Sequence, residues 1–189
     1  MLNVLDTPRV SGDGRGDDTA GLQAALDSGA RTIYLPAPPG CYLISRTLKI
    51  HSSQTLIADP TTVIRLADGA DAIMIENARP DEGDEYITLV GGIWDMNNAH
   101  QSPHPPWRGQ SYERDRWIGV LMRFNGVRNL CIRDLTLKDP ESFGMQLGRL
   151  EQFTIENITF DYNLMRPNMD GVHVHGPSRW GRIANLKGT

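Results

Sequence analysis

The chain has 189 residues, of which 39% are hydrophobic, and a formal net charge of -4, a composition typical of a folded domain. It is neither disordered nor collagen-like, and its negative charge does not favour binding to nucleic acid or to an anionic membrane, since both call for a basic surface. Cys41 and Cys131 lack the spacing of a metal site and are predicted to be free thiols.

Residues 1–30 are predicted to form a turn and a short capping helix. Glycines and aspartates crowd residues 12–18, and Asp18 or Thr19 can cap a helix that begins there. A phosphate-binding loop or a calcium loop fits less well, because the acidic residues do not follow the EF-hand order. The chain does not begin with a basic segment followed by an apolar run, so neither a signal peptide nor a membrane helix is predicted and the cellular location stays open. The apolar face of the helix consists of Leu22, Ala25 and Leu26.

Beyond Ala30 the chain changes to short apolar segments separated by Gly, Pro, Asp and Asn. Each segment has three or four residues, which is the length of a strand and too short for a helix. Many short strands occur in sandwiches, barrels and solenoids, and an internal repeat distinguishes the solenoid. The predicted strands are residues 33–35, 42–44, 48–50, 55–57, 63–66 and 72–75.

The second half of the chain contains an internal repeat. In two copies the alternation of apolar and polar residues slips by one position, at Asp134 and at Asn157, and Gly91 and Asn185 occupy the same column. Gly, Asn and Asp tolerate a left-handed backbone, so each of these residues is predicted to bend the chain between two strands. The copies are residues 87–97, 130–137, 153–163 and 181–188.

The spacing of the bends predicts the architecture. Asp134 and Asn157 are 23 residues apart, which is about one solenoid coil, whereas Gly91 and Asp134 are 43 residues apart. The longer interval predicts an inserted loop at about 98–117, which is rich in Pro and His and shows no periodicity. We therefore predict a single all-β domain, a right-handed parallel β-helix over residues 31–189 behind a short N-terminal capping helix.

Several motifs resemble known β-helix proteins. The run GDG at 12–14, DDT at 17–19, QAAL at 23–26 and IYLP at 33–36 resemble the opening of pectin-lyase-like proteins. The segments 92–95 and 129–137, and above all Asn168-Met169-Asp170-Gly171, resemble family 28 glycoside hydrolases, the polygalacturonases.

This resemblance implies inverting hydrolysis of a pectic, galacturonate-containing polysaccharide. Asp170 matches the first catalytic aspartate of the family, and Asn168 lies beside it. The other catalytic residues would lie beyond Thr189, so the chain is expected to be the N-terminal majority of such an enzyme and to be inactive alone. We also expect it to associate through its open coil end, because an uncovered core and unpaired strand edges invite pairing.

Two histidines follow Asp170 on the same predicted strand. Val172 and Val174 are expected to face the core, which leaves His173 and His175 on the outer face. The histidines can contact sugar or be solvated, and no metal is predicted because a third ligand is not evident at a supporting spacing. Asp170 itself has an alternative interpretation as a turn residue before a glycine.

Further substrate contacts are predicted around this strand. Gln146 aligns with His173 one coil earlier and is a candidate subsite contact or a surface amide. Trp107, and Trp117 beside it, can stack on sugar rings or anchor the insertion. The arginines that can pair with a uronate carboxylate, or can be plainly solvated, are Arg166, Arg149 and Arg179.

Three functions remain open at this stage. The first is a polygalacturonase-like hydrolase, the second is a polysaccharide lyase on the same scaffold, and the third is a non-catalytic carbohydrate-binding solenoid of the tailspike kind. All three imply a polysaccharide partner. The sequence predicts no cofactor, no nucleic acid, no membrane and a monomeric complete protein.

Overall fold

Short parallel strands wind into a right-handed β-helix in the computed structural model, which describes residues 1–103 and 118–188. Its strands form two sheets, here called sheet A and sheet B. Sheet A comprises β1 (Leu2–Asn3), β2 (Thr32–Leu35), β3 (Tyr42–Ile44), β5 (Thr55–Ala58), β6 (Val63–Leu66), β8 (Asp84–Val90), β9 (Ile93–Asp95), β11 (Val127–Lys138), β13 (Glu151–Asp161) and β15 (Arg179–Gly188). Sheet B comprises β4 (Leu48–Ile50), β7 (Ile75–Asn77), β10 (Met122–Asn125), β12 (Met145–Gly148) and β14 (Val172–His175).

The core consists of columns of apolar side chains that stack from coil to coil. Leu56 aligns with Leu89, and Leu89 with Ile132 and Ile155, and all four side chains are buried. Ile183 continues this column but is 42% exposed, because its coil is the last that the structure describes. Burial along the column therefore ends at one open face of the solenoid.

The predicted bends are confirmed by the backbone. Gly91, Asp134, Asn157 and Asn185 all have left-handed φ angles, between 53° and 79°. On the earlier coil Gly91 separates β8 from β9, whereas β11 continues through its bend and pairs with both of those strands. The bends are also linked by their side chains, since Asn157 Nδ2 donates to Asp134 Oδ1 at 2.7 Å and Asn185 Nδ2 to Asn157 Oδ1 at 3.0 Å.

Gly91 is required at its bend for a second reason. A Cβ at this position would lie 2.1 Å from the carbonyl oxygen of Ala58 on the neighbouring coil. No side chain fits there, so the approach of the two coils depends on glycine.

The capping helix α1 (Thr19–Asp27) is present, but the predicted role of Asp18 is wrong. Asp18 occupies the N-cap position without a side-chain capping bond, and its carboxylate accepts hydrogen bonds from the backbone of Ser11 at 2.7 Å and Leu43 at 3.2 Å. Asp17 Oδ1 accepts instead from the Thr19 backbone at 2.9 Å. Asp18 thus fastens the Gly-rich turn to the first coil.

Two local predictions need correction. The strand predicted at 72–75 begins only at Ile75 as β7, because Ile75 is the first residue of this segment to pair with the neighbouring strands. Val172 packs on the core as predicted, whereas Val174 is 41% exposed although it aligns with the buried Leu147. Like Ile183, it lies on the last described coil.

The predicted insertion lies between β9 and β10. It starts with a short 3-10 helix, Asn98–His100, while residues 104–117 lie outside the described part of the chain. The domain boundaries therefore stay predictions. Among the described residues, no helix is long and apolar enough to cross a membrane.

Positive and negative side chains alternate in one column that crosses four neighbouring strands of sheet A near their N-terminal ends. Glu85 aligns with Arg128, Arg128 with Glu151, and Glu151 with Arg179. Ion pairs join Arg128 to Glu85 and, at 3.0 Å, Arg179 to Glu151. We call these four residues the charge ladder.

Candidate functional site

The outer face of sheet B carries one column of polar side chains, one from each coil. The register places Lys49 beside Glu76, Glu76 beside Arg123, Arg123 beside Gln146, and Gln146 beside His173. These side chains point away from the core because they alternate with buried apolar residues along each strand.

The first half of this column is positively charged overall. The buried carboxylate of Glu76 pairs with Lys49 on one side and with Arg123 on the other, where Arg123 Nε donates to Oε2 at 2.7 Å. Two cations that pair with one carboxylate leave a net positive charge on this part of the column, two coils from His173. Such a charge suits an anionic ligand.

Asp170 and His173 form a hydrogen-bonded pair at the other end of the column. Asp170 Oδ2 lies 3.2 Å from His173 Nδ1, and the Asp170 side chain is 52% exposed. The backbone carbonyl of Asp170 accepts a hydrogen bond from Gly144 N at 2.8 Å, which fixes this residue to the preceding coil. The carboxylate orients the imidazole and turns Nε2 away from Asp170.

Phe143 supports the imidazole from the preceding coil. The rings of Phe143 and His173 stack with their centroids 4.2 Å apart and their planes only 5° from parallel. His173 is therefore held by a hydrogen bond at Nδ1 and by an aromatic face. Both contacts fix the side chain before any ligand arrives.

The Tyr162 hydroxyl lies beside the pair. Its oxygen is buried and finds no hydrogen-bond partner among the residues that the structure describes. A Cβ at Gly144 would lie 2.5 Å from this oxygen, so glycine is needed to make room for it. Burial, and then the charge of Asp170, raise the pKa of Tyr162, which keeps the hydroxyl protonated at neutral pH.

His175 lies two residues further along β14. Its ring centroid is 6.0 Å from that of His173. Burial, followed by the charge of His173, lowers the pKa of His175 below its ordinary value. The two predicted histidines are thus neighbours, as the alternation along the strand indicated.

The other predicted contacts fare differently. The register confirms that Gln146 aligns with His173, but its side chain is only 3% exposed, so the alternative of a surface amide is wrong. Asn168 is exposed and has a left-handed φ of 66°, as suits the turn before Asp170. Trp107, like Trp117, lies outside the described residues. The substrate-binding roles of all of these residues stay predictions.

The arginines are engaged with the protein. Arg166 Nε donates to the buried Glu141 at 2.9 Å, and Arg179 pairs with Glu151. Arg149 donates through its guanidinium to the Pro80 carbonyl. Arg149 and Arg179 are nevertheless exposed, in agreement with the alternative of solvated arginines, whereas Arg166 is paired with a buried carboxylate.

Sequence reasoning missed Phe143 and Tyr162. The alignment of Gly144 with Gly171, extended by one residue, places Phe143 directly before the aligned block at the level of Asp170. This signal was available in the sequence. The position of Tyr162 depends on how the chain turns after β13, for which the sequence carries no comparable pattern.

Comparison with protein families agrees with this fold. Residues 1–101, more than half of the chain, match the model of the family described as rhamnogalacturonase A/epimerase, pectate lyase-like. No curated protein matches the chain significantly.

Similar solved structures include two bacterial proteins. The A-module of mannuronan C-5 epimerase AlgE4 from Azotobacter vinelandii has a TM-score of 0.71 and 20% identity, over 98% of this chain and 50% of that one. PfbA, a surface adhesin of Streptococcus pneumoniae, has a TM-score of 0.65 and 22% identity, over 84% of this chain and 38% of that one. The chain therefore spans half or less of either protein.

A candidate glycosyl hydrolase from Parabacteroides merdae is similar over nearly its whole length. It has a TM-score of 0.68 and 15% identity, over 99% of this chain and 95% of that one. Identities this low establish a shared β-helix and leave the activity to be argued from the site.

Proposed function

The chain belongs to the rhamnogalacturonase A/epimerase, pectate lyase-like family, and on that premise we propose that it acts on an acidic polysaccharide by acid–base catalysis. The observation that carries the proposal is the Asp170–His173 pair, which is accessible on the outer face of sheet B and held by Phe143. The net positive charge around Glu76 supports an anionic substrate, because it lies on the same column.

Hydrolysis of a galacturonate-containing polymer is the first candidate reaction. The motif around Asp170 resembles family 28 glycoside hydrolases, in which a carboxylate draws a proton from water while the water oxygen attacks the anomeric carbon. The glycosidic C–O bond breaks, and a second, acidic group protonates the leaving oxygen. We assign the base to Asp170, oriented by His173, and leave the acid unassigned.

Proton abstraction next to a uronate carboxylate is the second candidate. The hydrogen bond that His173 Nδ1 donates to Asp170 favours it, because it leaves the lone pair on Nε2, the nitrogen that can then accept a proton. A carbanion formed in this way either expels the neighbouring glycosidic oxygen, as in a lyase, or takes a proton back on the opposite face, as in an epimerase. The Tyr162 hydroxyl is buried, so the group that protonates the carbanion or the leaving oxygen is left unassigned.

One incubation distinguishes the candidates. The full-length protein is purified and mixed with polygalacturonate and, separately, with mannuronan. Reducing ends, ultraviolet-absorbing unsaturated ends and, by NMR, the sugar configuration are then followed. Reducing ends alone indicate hydrolysis, unsaturated ends indicate a lyase, and a changed configuration without new ends indicates an epimerase. Binding without any of these products would refute catalysis and favour a carbohydrate-binding solenoid.

A matched pair of variants tests the residue assignment. Asp170→Asn should lower the rate at least a hundredfold, because it removes the base and the acceptor of His173. Asp27→Asn is the matched control, because Asp27 at the end of α1 also pairs with a histidine, with Oδ1 2.7 Å from His51 Nε2. This variant should leave the rate of product formation unchanged. Equal losses in both variants, or none in Asp170→Asn, would overturn the assignment.

A further inference from the structure

A groove of about 540 Å³ runs over the outer face of sheet A, whereas the Asp170–His173 pair belongs to sheet B. Its floor is a column of small polar side chains on successive coils. Thr55 aligns with Thr88, Thr88 with Cys131, and Cys131 with Thr154. Adjacent strands are about 4.8 Å apart, so the column offers a hydroxyl or thiol at nearly constant intervals along the solenoid axis.

A second column forms one wall of the groove. It consists of Tyr86, Asn129 and Gln152. The residues before and after each of them are paired between neighbouring strands, so these three residues are also aligned with one another. Tyr86 is 54% exposed, and the two amides follow it on the next two coils. An aromatic face beside amides and hydroxyls is the chemistry that binds sugars, which have apolar C–H faces and hydroxyl edges.

The backbone of this wall is left-handed on every coil, and the same holds at Ser53 on the coil before and at Trp180 on the coil after. Tyr86, Asn129 and Gln152 have left-handed φ angles of 56°, 60° and 55°. At the bends of Asp134 and Asn157, the sequence uses residues that tolerate this conformation, but here it keeps Tyr and Gln, which do not. Such strain persists where the side chain has a use that offsets it.

We propose that this groove binds a linear oligosaccharide along the solenoid axis without cleaving it. The repeating ligand matches the repeating wall and floor, and Arg31, which also lines the groove, supplies a positive charge for a uronate carboxylate. The proposal rests on the proposed function only for the choice of an acidic polysaccharide. It places a holding site on one sheet and the reacting site on the other.

Cys131 provides a built-in reporter for occupancy. Its thiol lies in the groove floor, and Cys41, which is outside the groove, is a matched control because both thiols are partly buried and burial raises the pKa of each. At alkaline pH the alkylation of each cysteine is followed by mass spectrometry, with and without hexagalacturonate. The sugar should slow alkylation of Cys131 at least fivefold and leave that of Cys41 unchanged.

Matched variants test the two columns separately. Thr88→Val removes a groove hydroxyl, and its affinity for hexagalacturonate should fall about two- to tenfold. Thr159→Val makes the same change on β13 outside the groove and should bind normally. Tyr86→Asn should weaken binding and raise the melting temperature, because Asn tolerates the left-handed backbone.

The outcomes separate this proposal from the catalytic one. Protection of Cys131 that persists in Asp170→Asn supports the groove whether or not the chain is active. Protection that disappears in Asp170→Asn, equal protection of Cys41, or normal binding by Thr88→Val would overturn it. A lower melting temperature for Tyr86→Asn would refute the strain that supports the wall.

Discussion

The bend at Asn157 allows a direct test of why particular residues occupy the turns of this solenoid. Its φ of 56° is left-handed, a conformation that costs most L-residues about 1–2 kcal/mol. Ala at this position should bear that cost, whereas Gly should not, although Gly loses about 0.5–1 kcal/mol of chain entropy relative to Ala. Asn157→Gly should therefore be more stable than Asn157→Ala by about 0.5–1 kcal/mol.

Both variants also lose the two exposed side-chain hydrogen bonds that join Asn157 to Asp134 and Asn185. Because this loss is common to Ala and Gly, it cancels in the comparison. The assay is urea unfolding followed by circular dichroism, with the midpoint and slope fitted for each variant.

Thr159 on the same strand is the control position. Its φ is not left-handed, so Ala should be more stable than Gly there by about 0.5–1 kcal/mol, the reverse order. If Ala exceeded Gly at Asn157 as well, the left-handed bend would not explain the residue choice, and the prediction of the fold from those bends would lose its physical basis.

Three further predictions concern the core, a buried ion pair and pH. Ile155→Ala should cost about 2–5 kcal/mol in urea unfolding and Ile183→Ala, at the exposed end of the same column, less than about 1.5 kcal/mol. Arg166→Met removes one charge-assisted hydrogen bond of the buried Glu141 and should cost about 1.5–3 kcal/mol, and adding Glu141→Gln should recover part of it. Burial lowers the pKa of His175 in the folded chain, so the unfolded chain takes up the proton first and stability should fall as pH drops below about 6.5. His175→Asn should flatten this part of the pH profile in thermal melts.

The fold could be predicted because each of its periodic features depends on only a few neighbouring residues in the sequence. A slip of alternation at Asp134 or Asn157 is visible in a few residues, and the residue type at the slip reports a left-handed backbone. The second column of left-handed residues was not predicted; it consists of Ser53, Tyr86, Asn129, Gln152 and Trp180. Tyr and Gln carry no preference for this conformation, so no local sequence pattern predicts it.

The candidate site could be predicted only in part. Asp170 and His173 are three residues apart in one motif, and both were identified, but their hydrogen bond follows from the turn geometry. Phe143 and Arg166 make their decisive contacts with another coil. Contacts of that kind depend on the register between coils. The sequence repeat indicates this register to within a residue, but it does not indicate which side chains touch each other.

The charge ladder has a consequence for how the solenoid assembles. Each coil of a repetitive chain offers similar strand edges, so a coil could be looped out and its two neighbours joined. If the coil with Arg128 were omitted, Glu85 would face Glu151, and if the coil with Glu151 were omitted, Arg128 would face Arg179. Like charges directly opposite each other destabilise a strand pair. The alternation of charge sign therefore disfavours any assembly in which a single coil is skipped.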